Sequence, residues 1–408
     1  MAHIPRTLET SLQKASERFG IVLVSGVRQS GKSTLLKENS EYRTVVTLED
    51  FRALEIANTA RNLFFEQYAP PVLISEVQRA PQLILEIKAL IDRKQKPGLV
   101  WLTCSQRFSL ISRAGESLAG RVAYLELMPL SLYERQNKAY VQEPYLPKSD
   151  LRRRKLSLGC MEFLWKMIWQ GSFPELVDDD YEVDSDERHW FFNRFLRSYL
   201  ESDVREAGVI TKLEKFRRFL VVLALHIGEE LQIGRVACEA GIAPQTAKIW
   251  LSIAQDSGVI WLLPAFYENV GKVLVKKPRL YFSDTGLATW LLDISSSENL
   301  EDTRLGEVFF KNFVLNELRK SWVHNGRDAN FYFYRDAAFQ NIDLIIKSGG
   351  QYFPVKIKAT PSPTASMVES FDCLKGEKFS CGPGALICLT QEQRFLREDV
   401  IAHSVWDI

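Results

Sequence analysis

Five uncharged residues rich in β-branched side chains, Ile21–Ser25, run straight into Gly26-Val-Arg-Gln-Ser-Gly31-Lys32-Ser33-Thr34 and then Leu35-Leu36-Lys37-Glu38. The first run reads as a strand buried on both faces, as in a parallel sheet. The next nine residues fit GxxxxGK[ST] between a strand and a helix, the context in which that spacing has a mechanism. Gly26 and Gly31 let the backbone turn tightly and bring N–H groups toward phosphate oxygens. The helix opening near Lys32 points its positive dipole end at the same anion. Lys32 would reach the β- and γ-phosphates, and the Ser33 hydroxyl would ligate Mg²⁺. At average composition the pattern arises by chance in about one 400-residue chain in a hundred. Gly26, Val27, Arg28, Gln29, Ser30, Gly31, Lys32, Ser33 and Thr34 are therefore the expected ATP-binding residues, with Mg²⁺ as the companion ion.

A second buried strand, Pro71-Val72-Leu73-Ile74, leads into Ser75-Glu76-Val77-Gln78. In a P-loop ATPase an Asp-Glu pair belongs at such a strand end: the Asp orders the metal shell and the Glu polarises water. Here Glu76 is the expected catalytic base. Ser75 stands in the Asp position and would touch Mg²⁺ only through a bound water. It brings no charge, so slow or absent turnover is expected. A helix is expected to open with Pro81 as its first residue, with Leu83, Ile84 or Leu85, Ile87, Leu90 and Ile91 at helical spacing. A third strand, Gly98 to Leu102, ends in Thr103-Cys104-Ser105. Thr103 and Ser105 are candidate γ-phosphate sensors, with an ordinary strand-end turn as the alternative.

GVRQSGKSTLL, VLISEVQRAPQLILEIKALIDR, TCSQRFSL and ESLAGRVAYLELMPLSLYE together resemble a widespread prokaryotic family of AAA-superfamily ATP-binding proteins with a C-terminal domain of unknown function. The resemblance continues through WQGSFPE, YLESDVRE, KKPRLYFSDTGLATWLL and the C-terminal third. It implies Asp where this chain has Ser75 and Gly where it has Cys104. It also singles out Arg121, which serves either a nucleotide or neighbouring subunit, or a structural salt bridge.

The middle of the chain carries Arg152-Arg153-Arg154-Lys155, which would touch phosphate or merely open a solvated helix. Residues 175–187 hold eight acids in thirteen, a mobile surface loop by charge density. Residues 189–207 read as an amphipathic helix with Trp190, Phe191, Phe195, Leu196, Tyr199 and Leu200 facing the core. Three helices, 213–227, 234–240 and 244–255, precede two apolar strands, 259–267 and 273–282, the order of a winged helix-turn-helix. Gln245, Thr246 and Lys248 offer thin base readout. Lys272, Lys276, Lys277 and Arg279 would grip phosphate if DNA binds; a docking module is the alternative.

From residue 305 the phrase FYFYRDAAFQNIDLIIKSGGQYFPVKIKA resembles the restriction-endonuclease-like fold that ends this family. The resemblance implies Asp on one strand and Glu-x-Lys on the next. Asp343 and Lys358 match, but Lys356 replaces the Glu, and Lys311 and Asn341 stand where acids are usual. A cation in a ligand position repels Mg²⁺, so no metal-dependent cleavage is expected. A basic edge for nucleic acid or protein, or a domain kept for packing, are the remaining readings.

Composition narrows the rest. The chain has 408 residues, enough for two to four domains, and a net charge of +1, which argues against coating nucleic acid by bulk charge. Six Cys without a CxxC pair and five His disfavour a zinc site or disulfide framework and fit a reducing cytosol. The N-terminus lacks an apolar signal region, and no apolar run spans a membrane. The expected class is α/β: a P-loop NTPase core of AAA type with a parallel sheet, then a winged helix and an α/β restriction-endonuclease-like domain. The expected units are 1–140 (core), 141–210 (helical lid or connector), 211–285 (winged helix) and 286–408 (degenerate nuclease-like domain). The expected function is an ATP-dependent switch with weak hydrolysis. The alternative is a DNA- or protein-binding module with a vestigial nucleotide site.

Overall fold

A computed structural model describes the whole chain except residues 1–2, 106–117, 152–155, 158, 178–183, 201–212, 267–276, 302–304, 336–339 and 375–379. The basic run 152–155, the middle of the acidic run, the end of the 189–207 helix, and Lys272 and Lys276 lie outside the described residues.

The N-terminal layer contains α1 (Leu8–Ser16), β1 (Ile21–Ser25), α2 (Lys32–Glu38), β2 (Thr44–Thr47), α3 (Phe51–Thr59), α4 (Arg61–Gln67), β3 (Val72–Ser75), α5 (Leu83–Lys94), β4 (Val100–Cys104) and β5 (Val122–Glu126). The five strands form one parallel sheet in the order β2-β3-β4-β1-β5. β1, β3 and β4 are buried along their whole length, which is why their sequences are unbroken apolar runs rather than alternations. α5 begins at Leu83, two residues after Pro81. Of its ambiguous pair, Ile84 is buried and Leu85 exposed. Arg121 pairs with Asp92 at the partly exposed surface.

The middle of the chain is helical: α6 (Leu132–Arg135), α7 (Met161–Gln170), α8 (Ser185–Tyr199), α9 (Leu213–Leu225), α10 (Ile233–Ala240) and α11 (Pro244–Asp256). The antiparallel pair β6 (Ile260–Leu263) and β7 (Arg279–Phe282) follows. On α8 the buried stripe is Arg188, Phe191, Phe192, Phe195, Leu196 and Tyr199. Trp190 is 69% exposed, against the expectation. Positions 188, 191, 195 and 199 recur every three or four residues, and position 190 falls about two-fifths of a turn off that line.

The C-terminal part holds α12 (Thr285–Leu291), α13 (Ser297–Glu301), α14 (Gly306–Val323), β8 (Phe331–Arg335), β9 (Asn341–Ser348), β10 (Gln351–Ile357), β11 (Gly384–Cys388), β12 (Arg394–Arg397) and β13 (Val400–Ser404). These strands make a mixed sheet in the order β12-β13-β11-β10-β9-β8. The main apolar core runs from Val27 and Leu132 through the helical middle to Trp406 and Ile408. Large-scale packing is therefore shared between the phosphate-loop layer and the C-terminal sheet.

Candidate functional site

The carboxyl ends of β1, β4 and β3 lie side by side, with Val24 opposite Thr103 and Ile74 opposite Leu102. Ligands of open parallel sheets bind at this edge. The loop after β1 takes the conformation its glycines permit. Gly26 has φ +152 and Gly31 φ +94, and a Cβ on Gly26 would stand 2.1 Å from the Leu127 carbonyl oxygen. The buried Lys32 ammonium donates to the Gly26 and Val27 carbonyls, each at 2.9 Å. Ser33 is half-buried and Thr34 exposed at the start of α2. Arg28 donates to Ser198 Oγ on α8 at 3.2 Å, and Gln29 sits exposed at φ +59. Ser30 Oγ is fully buried without a partner among the described residues.

At the end of β3, Ser75 is buried, and its hydroxyl also has no hydrogen-bond partner among the described residues. Glu76 follows in the left-handed region at φ +57, a conformation that costs energy for a residue with a Cβ and clusters at functional sites. Its backbone N–H donates to Thr103 Oγ1 at 3.0 Å. Its carboxylate Oε2 accepts from Ser105 Oγ at 3.0 Å and from Gln78 Nε2 at 2.6 Å. The two residues expected to sense phosphate therefore hold Glu76, one at its backbone and one at its carboxylate.

A second layer of contacts, not read from the sequence, fixes the phosphate loop from behind. Arg6 donates to Ser30 O at 2.8 Å and to Met128 O at 2.7 Å, and its Nε lies 3.1 Å from Glu134 Oε2. Glu134 is fully buried and also accepts from the Thr7 and Ser131 backbone amides. Burial alone would raise its pKa. Arg6, with His324 and the Ser131 N–H, overcomes that and holds the carboxyl well below the usual range. Glu134 closes a capping box with Ser131. That S-x-x-E spacing was the available sequence signal; a lone Arg6 before a helix carried none.

The neighbouring elements also reach the loop. Gly258, after α11, packs so closely that a Cβ there would lie 3.2 Å from Val27 N. A cavity of about 310 Å³ opens beside it, walled by Ser25, Gly26, Glu126, Asp256, Trp261 and Arg319. Arg319 crosses it to pair with Glu126 at 2.6 Å.

The C-terminal sheet brings Asp343, Lys356 and Lys358 together on β9, β10 and the residue after β10, with Lys311 from α14. Asp343 is fully buried. Its Oδ1 accepts from Lys311 at 2.8 Å, and its Oδ2 accepts from the Ile357 amide at 3.1 Å with Lys356 Nζ 3.7 Å away. Burial opposes ionisation of Asp343, but Lys311 and Lys356 outweigh it and lower its pKa. Lys356 is pushed down by burial and by Lys311, Lys358 and Arg279. Its Nζ donates to Asn341 O at 2.7 Å, while Lys358 turns to Glu307 at 3.5 Å. Ammonium groups thus occupy both oxygens' surroundings. The donor set does not fit a divalent cation, and among the described residues no group of His, Cys, Asp and Glu could hold a metal.

Residues 18–136 match the family model described as an AAA domain. Residues 161–298 and 308–407 match two models described as domains of unknown function, DUF8612 and DUF4143. Uncharacterized proteins of Mycobacterium bovis and Mycobacterium tuberculosis are each 26% identical over 88% of this chain and 75% of their own length. Among solved structures, the Walker-type ATPase of Pyrococcus abyssi aligns with TM-score 0.42 at 14% identity, over 70% of this chain and 94% of that one. A STAND-type signal transduction ATPase of Pyrococcus horikoshii aligns with TM-score 0.28 at 15% identity, over 77% and 45%. No helix among the described residues is long and apolar enough to cross a membrane. The family match, the five-stranded parallel sheet and the glycine-lysine loop at its carboxyl edge together make the N-terminal part of this chain similar to AAA-type P-loop domains.

Proposed function

We propose that the chain is an ATP-binding switch with weak hydrolysis, in which occupancy of the loop Gly26 to Thr34 sets the arrangement of the C-terminal elements. The observation that carries it is the direct packing of Gly258 on Val27: the module after α11 rests on the phosphate loop itself. The units 1–140, 141–210, 211–285 and 286–408 are the parts we assign to this switch, the third as a winged helix and the fourth as a degenerate nuclease-like fold.

Lys32 would neutralise the β- and γ-phosphates, and loop N–H groups would cradle them. Ser33, with Ser75 through a water, would hold Mg²⁺, which supplies charge neutralisation on the phosphates when bound. The orphaned hydroxyl of Ser75, buried beside Glu76, fits a water-mediated contact and lacks the charge of a carboxylate. In hydrolysis a water oxygen bonds the γ-phosphorus while the bridging P–O bond breaks. ADP leaves with that electron pair, and the water's proton passes to Glu76. Ser75→Asp restores the missing charge, so ATP turnover is expected to rise about tenfold or more. Turnover in that variant no faster than in the parent contradicts this account of the site.

A second reading has its own support. Lys311 and Lys356 lie against one carboxylate, Asp343, and Arg279 donates to Asn341 Oδ1 on the same strand at 2.9 Å. The surplus positive charge favours a basic surface for an anionic partner, nucleic acid among them, with the nucleotide site vestigial.

A further inference from the structure

Glu76, Gln78 and Ser105 close a ring of three hydrogen bonds. Gln78 Nε2 donates to Glu76 Oε2 at 2.6 Å and to Ser105 Oγ at 2.9 Å, and Ser105 Oγ donates to Glu76 Oε2 at 3.0 Å. The amide assignment follows from chemistry: an ionised carboxylate only accepts, so the nitrogen of Gln78 faces it. Gln78 Oε1 is then turned the other way, buried and without a hydrogen-bond partner among the described residues. An unmet buried amide oxygen is costly, so the hold of the ring on the Gln78 nitrogen outweighs that loss.

The ring has a chemical consequence. Both donors fall on Oε2, which leaves Oε1 of Glu76 to accept the proton of a water. What fixes the direction of Oε1 is the pair of donors on Oε2, Ser105 and Gln78, and Gln78 is also joined to Glu76 through the chain. Backbone geometry keeps the two in step. Glu76 is locked at φ +57 with its N–H on Thr103, and Gln78 lies two residues on, in the 3-10 turn Val77–Arg79.

We propose that Gln78 is a positioning residue of the hydrolytic centre: its amide N–H, with the Ser105 hydroxyl, sets the rotamer of Glu76 and so the direction in which Oε1 meets the attacking water. The proposal rests on the hydrolysis reading above. It adds a residue that neither the phosphate-loop pattern nor the strand-end acid points to.

The test compares Gln78→Ala and Gln78→Glu with the parent, in the natural background and with Ser75→Asp. Gln78→Ala is expected to lower kcat on the order of 100-fold, as loss of near-attack geometry does, with the KM for ATP within about twofold. Gln78→Glu faces Glu76 with a second carboxylate and is expected to fall at least as far. A fold-wide defect would instead lower the thermal midpoint and raise KM. A second readout does not need turnover: retention of ADP with and without aluminium fluoride, a mimic of the transferring phosphoryl group. The parent is expected to retain ADP more tightly with the fluoride complex, and Gln78→Ala to lose that preference. Turnover and fluoride preference unchanged in Gln78→Ala overturn the proposal, as does a parent that binds ADP with no fluoride preference. Failure of the nucleotide reading looks different: the parent binds ADP no better than Lys32→Ala.

Discussion

Four groups converge on one fully buried carboxylate, Glu134. Arg6 lies against Oε2, His324 lies 3.1 Å from Oε1, and two backbone amides donate to it. The Met128 N–H donates to His324 Nε2 at 3.1 Å, so that nitrogen is unprotonated and the Nδ1 proton faces Glu134. Arg6 carries the same anchor to the Ser30 carbonyl in the phosphate loop. Glu134→Gln would leave the Arg6 guanidinium buried beside a neutral group. We expect a loss of about 3–5 kcal/mol, read as an earlier midpoint in denaturant at pH 7. The sign with pH is fixed by the lowered pKa of Glu134. Its contribution is complete above the unfolded carboxylate value of 4.5 and is lost as pH falls through the lower folded value. The variant should lack that acid-side dependence; identical unfolding of variant and parent would contradict the hub. In the sequence, the phosphate loop was plain because nine consecutive residues must satisfy one anion. Arg6 and His324 were not, because their partner lies more than a hundred residues away from each and only the fold brings the three together.

Helix α14 is buried almost all round, and its polar side chains replace strand partners for two extended segments. On one side Asn312 accepts from Phe282 N at 3.0 Å and donates to Phe282 O at 2.8 Å, while Asn316 donates to the same oxygen at 2.9 Å. On the other, Glu317 accepts from Leu132 N at 2.8 Å and Lys320 donates to Leu130 O at 2.8 Å. The helix thus ties the β6–β7 hairpin to the segment that follows β5. Its polar contacts leave no mark in the sequence, since each satisfies a backbone group elsewhere. The short edge strand β2 and the C-terminal strands β11 to β13 were not read either. Thr44–Thr47 has only Val46 buried, too little contrast for a period to show. The β9–β10 pair carries the Asp343 cluster, and here the two functional readings part. If the basic edge binds nucleic acid, DNA retention should fall steeply with salt and weaken on Lys356→Ala whether or not ATP is present. With Mg²⁺ or Mn²⁺ the protein should leave plasmid DNA intact. Nicking that disappears in Asp343→Ala would contradict the closed carboxylate site.

Across the whole molecule, the phosphate loop and the strand end beside it are held by residues from the N-terminus, the helical middle and the end of the long helix α14. Arg6 precedes the first strand, Ser198 on α8 meets Arg28, and Gly258 covers Val27. Arg319 of α14 and His324 just after it reach Glu126, Met128 and Glu134. The sequence marked the order of the parts through composition and motif. It could not mark their convergence, because the contacting residues are single glycines, arginines and a histidine without periodicity. These are the contacts through which the proposed switch would have to act. The most direct measurement is equilibrium binding of Mg²⁺–ATP to the full chain beside its Lys32→Ala variant, with turnover recorded on the same samples. We expect saturable binding that the substitution abolishes, and slow turnover that vanishes with it. Equal binding by both proteins, or none by either, would contradict a working nucleotide site in this chain.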